Sequence, residues 1–247
     1  MKTMHILIAS VVALLALGHR VAEAQPGIRT ERVQFAAGAS SKEIKGQIKG
    51  DETVDYQVRA AAGQALTISL KASNRQHYFN VLPPESEAAM FIGSTSGSDF
   101  KAMLPDDGDY TVRVYLMRAA ARRNESSTYT MTIGVSGKAL APLPASQDAL
   151  VPGTRFHASG SVTCVTMLDP KPQSCDASVV RRGRDGTATV DVRGRDGYRR
   201  RILFVAGKPV ASDSTDALGA TRKGDVTIVS FGTDERSEIP DALVTGG

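Results

Sequence analysis

Tryptophan is absent, and aromatic residues make up only 5% of the 247-residue chain. A platform of rings for stacking sugars or nucleic-acid bases therefore has little to be built from. Histidine is nearly as scarce: His5 and His19 fall in the first twenty residues, leaving His77 and His157 far apart in sequence. A Ser-His-Asp triad needs a positioned base and zinc needs several converging ligands, so neither is expected. The chain also lacks a His-Glu-x-x-His helix, a Gly-x-Ser-x-Gly elbow and a phosphate-binding glycine loop. Ser98-Asp99-Phe100-Lys101 has the bare Ser-x-x-Lys spacing without its partner motifs, and reads as the start of a strand. Asp106, Asp107 and Asp109 lack the glutamate that completes a helix-loop-helix calcium site, and read as a turn. No catalytic residue, metal ligand or cofactor site is assigned; the chain reads as a non-enzyme.

Long apolar runs are confined to the N-terminus. Lys2 precedes Ile6–Ala9 and Val11–Leu17, and Ala22-Glu23-Ala24 places small residues where a signal peptidase reads them. Residues 1–24 are expected to be a signal peptide, with the apolar stretch shorter than the roughly 20 residues that span a bilayer. Removing it takes away Lys2, Arg20 and Glu23, so 30 basic and 26 acidic residues become 28 and 25, a net charge of +3. That balance does not call for a nucleic-acid partner. Export also gives the two cysteines a meaning. Cys164 and Cys175 enclose a loop with two prolines, and in an oxidising compartment they are expected to form a structural disulfide.

From Arg32 to Val135 the hydrophobic pattern has period two. Val54, Tyr56 and Val58, then Leu66, Ile68 and Leu70, then Tyr110, Val112 and Val114, then Tyr129, Met131 and Ile133 alternate with polar residues. Each run predicts a strand with one face buried. Seven to nine such strands over residues 28–136 predict an antiparallel β-sandwich. A short helix is expected around Glu85–Met90, after Pro83-Pro84. Residues 137–153, an Ala/Pro tract, read as a semi-rigid linker. Residues 154–245 return to strands and predict a second, smaller β-rich domain. There Arg-Gly-Arg-Asp-Gly occurs at 182–186 and again at 193–197, bracketing a strand as successive turns of a meander would. The expected fold class is therefore all-β, in two domains with one disulfide.

Two arginine clusters stand out. Arg118-Ala-Ala-Ala-Arg122-Arg123-Asn124 joins the strand ending at Met117 to the strand beginning at Thr128. Such a segment can serve solubility alone, or can present guanidiniums to a carboxylate from a rigid scaffold. The second cluster comprises Arg181, Arg182, Arg184, Arg193, Arg195, Arg199, Arg200 and Arg201, with Asp185, Asp191 and Asp196 interspersed. It reads either as a solvated, self-paired edge or as a surface for peptidoglycan or another anionic envelope polymer.

Several stretches between Val33 and Val135 are more specific. Phe35-Ala-Ala-Gly-Ala-Ser-Ser41, Gly46-Gln-Ile-Lys-Gly50, Ala62-Gly-Gln64, Leu104-Pro-Asp-Asp-Gly-Asp-Tyr110 and above all Arg113-Val-Tyr-Leu-Met-Arg118-Ala-Ala-Ala-Arg122-Arg123-Asn124 resemble the periplasmic inhibitors of goose-type (g-type) lysozyme. The resemblance implies an eight-strand sandwich that plugs the enzyme's substrate cleft with loops, with g-type lysozyme as partner and the periplasm as location. Arg118 falls where that family places a key inhibitory arginine, and Arg122, Arg123 and Asn124 would support the loop or touch the rim. After the Ile-Lys-Gly turn, where the family has a tyrosine, this chain has Asp51. The second reading, from another class, is an envelope module that binds glycan or anionic polymer without touching lysozyme.

Overall fold

The structure, a computed structural model, describes residues 28–246; the expected signal peptide lies outside them. Nine strands form the first unit: β1 (Ile28–Arg32), β2 (Ser41–Lys49), β3 (Thr53–Ala60), β4 (Ala65–Ala72), β5 (His77–Leu82), β6 (Phe91–Ile92), β7 (Asp99–Met103), β8 (Gly108–Leu116) and β9 (Ser126–Ser136). They pack as two sheets, ordered β1-β3-β8-β5-β6 and β2-β9-β4-β7. Along β8, buried and part-exposed residues alternate without exception, so Tyr110, Val112, Val114 and Leu116 enter the core. Tyr129, Met131 and Ile133 of β9 meet them from the opposite sheet. The two layers are also tied by a buried 2.7 Å hydrogen bond between the Tyr56 and Tyr129 hydroxyls. Tyr129 in turn requires Gly46 in β2, because a Cβ there would lie 2.5 Å from its ring. One pairing departs from the antiparallel expectation: β1 runs parallel to β3.

The expected helix at Glu85–Met90 does not form. The stretch is a series of turns, with Glu85 at φ 53°. Arginines from the C-terminal unit instead hold its carbonyls: Arg201 donates to Pro84 O, and Arg199 to Glu85 O at 3.0 Å. The helices that do form here are α1 (Gly93–Ser96) and α2 (Arg118–Arg122).

The second unit is a single eight-stranded sheet: β10 (Ala158–Val165), β11 (Gln173–Arg181), β12 (Ala188–Arg193), β13 (Arg199–Val205), β14 (Lys208–Ser212), β15 (Leu218–Lys223), β16 (Val226–Phe231) and β17 (Glu235–Pro240). Its order, β14-β13-β12-β11-β10-β17-β16-β15, brings β17 back beside β10 and leaves β14 and β15 at opposite edges. Yet only residues 213–217 join those edges. That connection reaches about 21 Å at most, whereas eight flat strands would hold the edges roughly 34 Å apart. The sheet must therefore curl into a barrel. Val179, Val190, Ile202, Phe204, Val229 and Phe231 belong to its core, and α3 (Asp241–Thr245) packs Val244 against them. Both Arg-Gly-Arg-Asp-Gly copies are turns flanking β12. Cys164 and Cys175 are bonded between β10 and β11. No described helix is long and apolar enough to cross a membrane.

Most of the second arginine cluster is neither a solvated edge nor a free cationic patch. Arg182, with a fully buried side chain, donates to Asp106 at 3.0 Å and to Asp107 at 2.8 Å across the junction of the two units. Arg155 reaches the same Asp106 carboxylate at 2.8 Å. Arg201, also buried, pairs with Asp213 at 3.0 Å and approaches Asp106 at 3.6 Å. Three guanidiniums thus meet three carboxylates. Arg200 grips Glu235 at 2.7 Å, and Arg199 and Arg193 share Asp191. Burial opposes ionisation of Asp191, but those two arginines more than offset it and hold the carboxyl below its usual range. Arg181 pairs with Asp148, while Arg184 and Arg195 have no ion pair among the described residues.

Residues 137–153 are not a free tether. The amide of Leu140 donates to Ala62 O in the sandwich, and the carbonyl of Leu140 accepts from Arg182 in the barrel at 2.6 Å. Leu143 donates to Arg181 O, and its carbonyl accepts from Nε2 of His157. His157 Nδ1 accepts the Arg181 amide proton, which fixes that tautomer.

Removing one partner of a buried pair leaves an uncompensated charge. Arg182→Ala is expected to lower the unfolding free energy by about 3–5 kcal/mol in urea titration, and Arg195→Ala by under about 0.5 kcal/mol. Reduction of the Cys164–Cys175 bridge is expected to cost at most about 3 kcal/mol in the same titration, the loop-closure value for a short loop.

Candidate functional site

The α2 turn is built by its neighbours in sequence. Met117 is extended, at φ −56° and ψ 144°, and its carbonyl accepts the Ala121 amide at 2.9 Å. Ala120 and Ala121 are small enough to pack into the end of the sandwich, and both are buried. Arg118, Ala119, Arg122 and Arg123 are left outside. The sequence predicts a loop between two strands; the structure has one helical turn that crosses from one sheet to the other, since β8 and β9 belong to different layers.

The five residues singled out by sequence lie at this one end, with different duties. Arg118 and Arg122 stand four apart on the turn, and neither has an ion pair among the described residues; Arg122 Nε donates only to the Arg118 carbonyl, at 3.4 Å. Like charges at this spacing cost a helix a few tenths of a kcal/mol, about 0.2–0.5, so stability does not account for them. Arg123 is committed to Glu125 at 2.7 Å. Asn74 and Arg123 together hold the Glu125 carboxyl below its usual range. Asn124 ends the turn at φ 55°, a conformation asparagine tolerates better than most residues. Its side-chain oxygen lies against Gly50, itself at φ 58°, and a Cβ at Gly50 would come within 2.8 Å of it. The Gly50 amide donates to Glu125 O at 2.9 Å. Asn124 therefore positions the turn against the β2–β3 corner, and that corner carries Asp51 on its exposed side.

Sequence reasoning missed Arg75. It lies in the β4–β5 connection, whose Gln76 carbonyl accepts the Met117 amide at 2.9 Å and whose Asn74 amide reaches Glu125 at 2.7 Å. Arg75 is exposed beside the turn and, like Arg118 and Arg122, has no ion pair among the described residues. No local motif marks it; only the crossing of the chain brings it there. β8 begins at Gly108, beside the buried Asp106, and ends at Leu116 before the turn. At ~3.4 Å per residue the two ends are about 27 Å apart. The barrel thus occupies one end of the sandwich and the unpaired arginines the other.

Over 106 residues, 42% of the chain, the sequence is 28% identical to the inhibitor of g-type lysozyme of Escherichia coli, covering 78% of that protein. The crystal structure of Aeromonas hydrophila PliG, a periplasmic inhibitor of g-type lysozyme, is 34% identical, with 98% of that chain and 44% of this one covered and a TM-score of 0.41. Over that stretch, the chain is similar to the periplasmic inhibitors of g-type lysozyme. A mutant E. coli PliG structure is 26% identical over 99% of its chain, with 44% of this chain covered and a TM-score of 0.36. No protein-family model matches. These relatives are inhibitors of an enzyme rather than enzymes. The matched length, 106 residues, is close to that of the sandwich.

Beneath the turn, His77 is buried against Tyr129, with ring centroids 5.0 Å apart and edge-to-face geometry. Neither of its nitrogens has a hydrogen-bond partner. Burial pushes its pKa down from 6.5 to about 4. Above pH 6.5 this costs nothing; as pH falls from 6.5 towards 4, the unfolded chain takes up a proton that the folded chain refuses, so stability is lost through that window. The urea midpoint of the native chain is expected to fall more steeply between pH 6.5 and 4 than that of His77→Gln; equal slopes would remove His77 as the cause.

Proposed function

We propose that this chain is an exported, periplasmic inhibitor of g-type lysozyme whose sandwich, residues 28–136, enters the enzyme's substrate cleft with the α2 end. Residues 137–153 and the barrel, 154–245, form a second unit that holds the far end of the sandwich and leaves the inhibitory end open. The observation that carries this reading is a set of guanidiniums without counter-ions among the described residues: Arg118 and Arg122 on a turn anchored by buried alanines, and Arg75 beside it in the β4–β5 connection. Hydrolysis of a glycosidic bond depends on carboxyl groups in the cleft. A guanidinium brought against one of them occupies the site and holds the acid ionised, as a charge-assisted pair does. Arg118 is the contacting residue and Arg122 and Arg75 add to the local positive potential, whereas Arg123 and Asn124 set the turn's shape. The envelope-polymer reading loses support, because the arginines that suggested it are largely committed to internal carboxylates.

The purified mature chain is expected to slow a g-type lysozyme and leave a c-type lysozyme unaffected, measured by lysis of peptidoglycan suspensions. Absence of any slowing of g-type enzymes at micromolar inhibitor would end the proposal. Arg118→Ala is expected to weaken inhibition by more than about 1 kcal/mol, roughly a five-fold rise in inhibition constant. Arg123→Ala should act less, through the Glu125 contact.

A further inference from the structure

A groove of about 370 Å³ runs between the β2–β3 corner and α2, and its lining includes Asp51, Glu52, Asn80, Arg113, Tyr115 and Arg118. Arg113 is not available within it: Asp55 holds the guanidinium through two 2.8 Å hydrogen bonds, and Glu87 stands 3.8 Å away. Tyr115 is fixed by donating its hydroxyl proton to Asn80 at 3.1 Å, so the groove has a rigid aromatic member. The lips are uncompensated and of opposite sign. Asp51 and Glu52 are exposed and have no cationic partner among the described residues, although Lys49 is close in sequence; the Glu52 carboxylate accepts only the Lys49 amide proton, at 3.0 Å. Arg118, on the other lip, does not pair with either acid.

Two adjacent carboxylates and a phenol ring at one groove are the chemistry that takes up an ammonium or guanidinium. The same two carboxylates brought against an acidic surface would repel it. We infer that this groove receives a basic side chain, lysine or arginine, from the rim of the lysozyme cleft, with Asp51 and Glu52 as its counter-ions, while Arg118 takes the acid within the cleft. The inference rests on the proposed inhibitory function and adds to it a two-point charge code: the inhibitor selects g-type enzymes that carry a base on the rim beside the catalytic acid. Specificity of this kind arises as much from repelling the wrong rim as from binding the right one.

The test uses the full mature chain and three forms of it: native, the double variant Asp51→Asn with Glu52→Gln, and Asp51→Lys. All substituted side chains are exposed, and matching thermal midpoints establish that the fold is kept. Against a g-type lysozyme that the native chain inhibits, the neutral double variant is expected to raise the inhibition constant at least five-fold and to reduce its salt dependence. Asp51→Lys is expected to raise it at least ten-fold. An unchanged constant in the double variant, or tighter inhibition by Asp51→Lys, would overturn the groove assignment while leaving the role of Arg118 standing. Failure of the native chain to inhibit any g-type enzyme would instead remove the proposed function, and this inference with it.

Discussion

The carboxylate of Asp106 is 1% exposed and sits where sandwich, connecting segment and barrel meet. It accepts from Arg182 and Arg155 and from the Asp107 amide, with Arg201 close by. A buried carboxylate is costly unless paired and fully hydrogen-bonded. Here the partners come from parts of the chain that no local interaction would bring together. Satisfying this one group requires that β8 begin beside β11 and β13, that Leu140 lie across the junction to share Arg182, and that Pro84 present its carbonyl to Arg201. Thr189 completes the joint by accepting from Arg182 and donating to Pro105 O at 2.7 Å. Directional contacts of this kind set an orientation, which apolar burial alone does not.

That orientation has a functional consequence. With the barrel anchored to the turn before β8, the strand carries the chain away to the opposite end, where Ala120 and Ala121 seat the α2 turn. The two ends treat arginine in opposite ways. At the joint, guanidiniums are buried and matched by carboxylates; at the α2 end, Arg75, Arg118 and Arg122 are exposed and unmatched. The same residue type is tied into the fold where it is desolvated with partners and stands exposed, without a counter-ion among the described residues, where it is not. The groove beside α2 applies the same logic with the sign reversed, leaving Asp51 and Glu52 without internal counter-ions next to Arg118.

The period-two alternation of Tyr110-Val112-Val114 and Tyr129-Met131-Ile133, the Asp-Gly turns around β12 and the pairing of Cys164 with Cys175 were legible in the chain, because each depends on neighbours within a few residues or on a single pair. The segment around Arg118 was legible as a cationic connection between two strands, but not as a helical turn. The short helix expected at Glu85–Met90 was not real, because that stretch answers to Arg199 and Arg201, more than a hundred residues away. The arginines of the barrel read as surface because composition cannot tell a solvated charge from one with a distant carboxylate. Arg75 carried no signal, since its place beside α2 comes from the β4–β5 crossing.

The amino-acid sequence by itself determined the strands, their buried faces, the disulfide and the cationic connection, since alternation, turn chemistry and spacing act over short range. Only the tertiary structure decided which charges are spent and which are free. Ion pairing is a matter of distance in space, and the carboxylates that neutralise Arg182, Arg200 and Arg201 lie twelve to seventy-six residues from them along the chain.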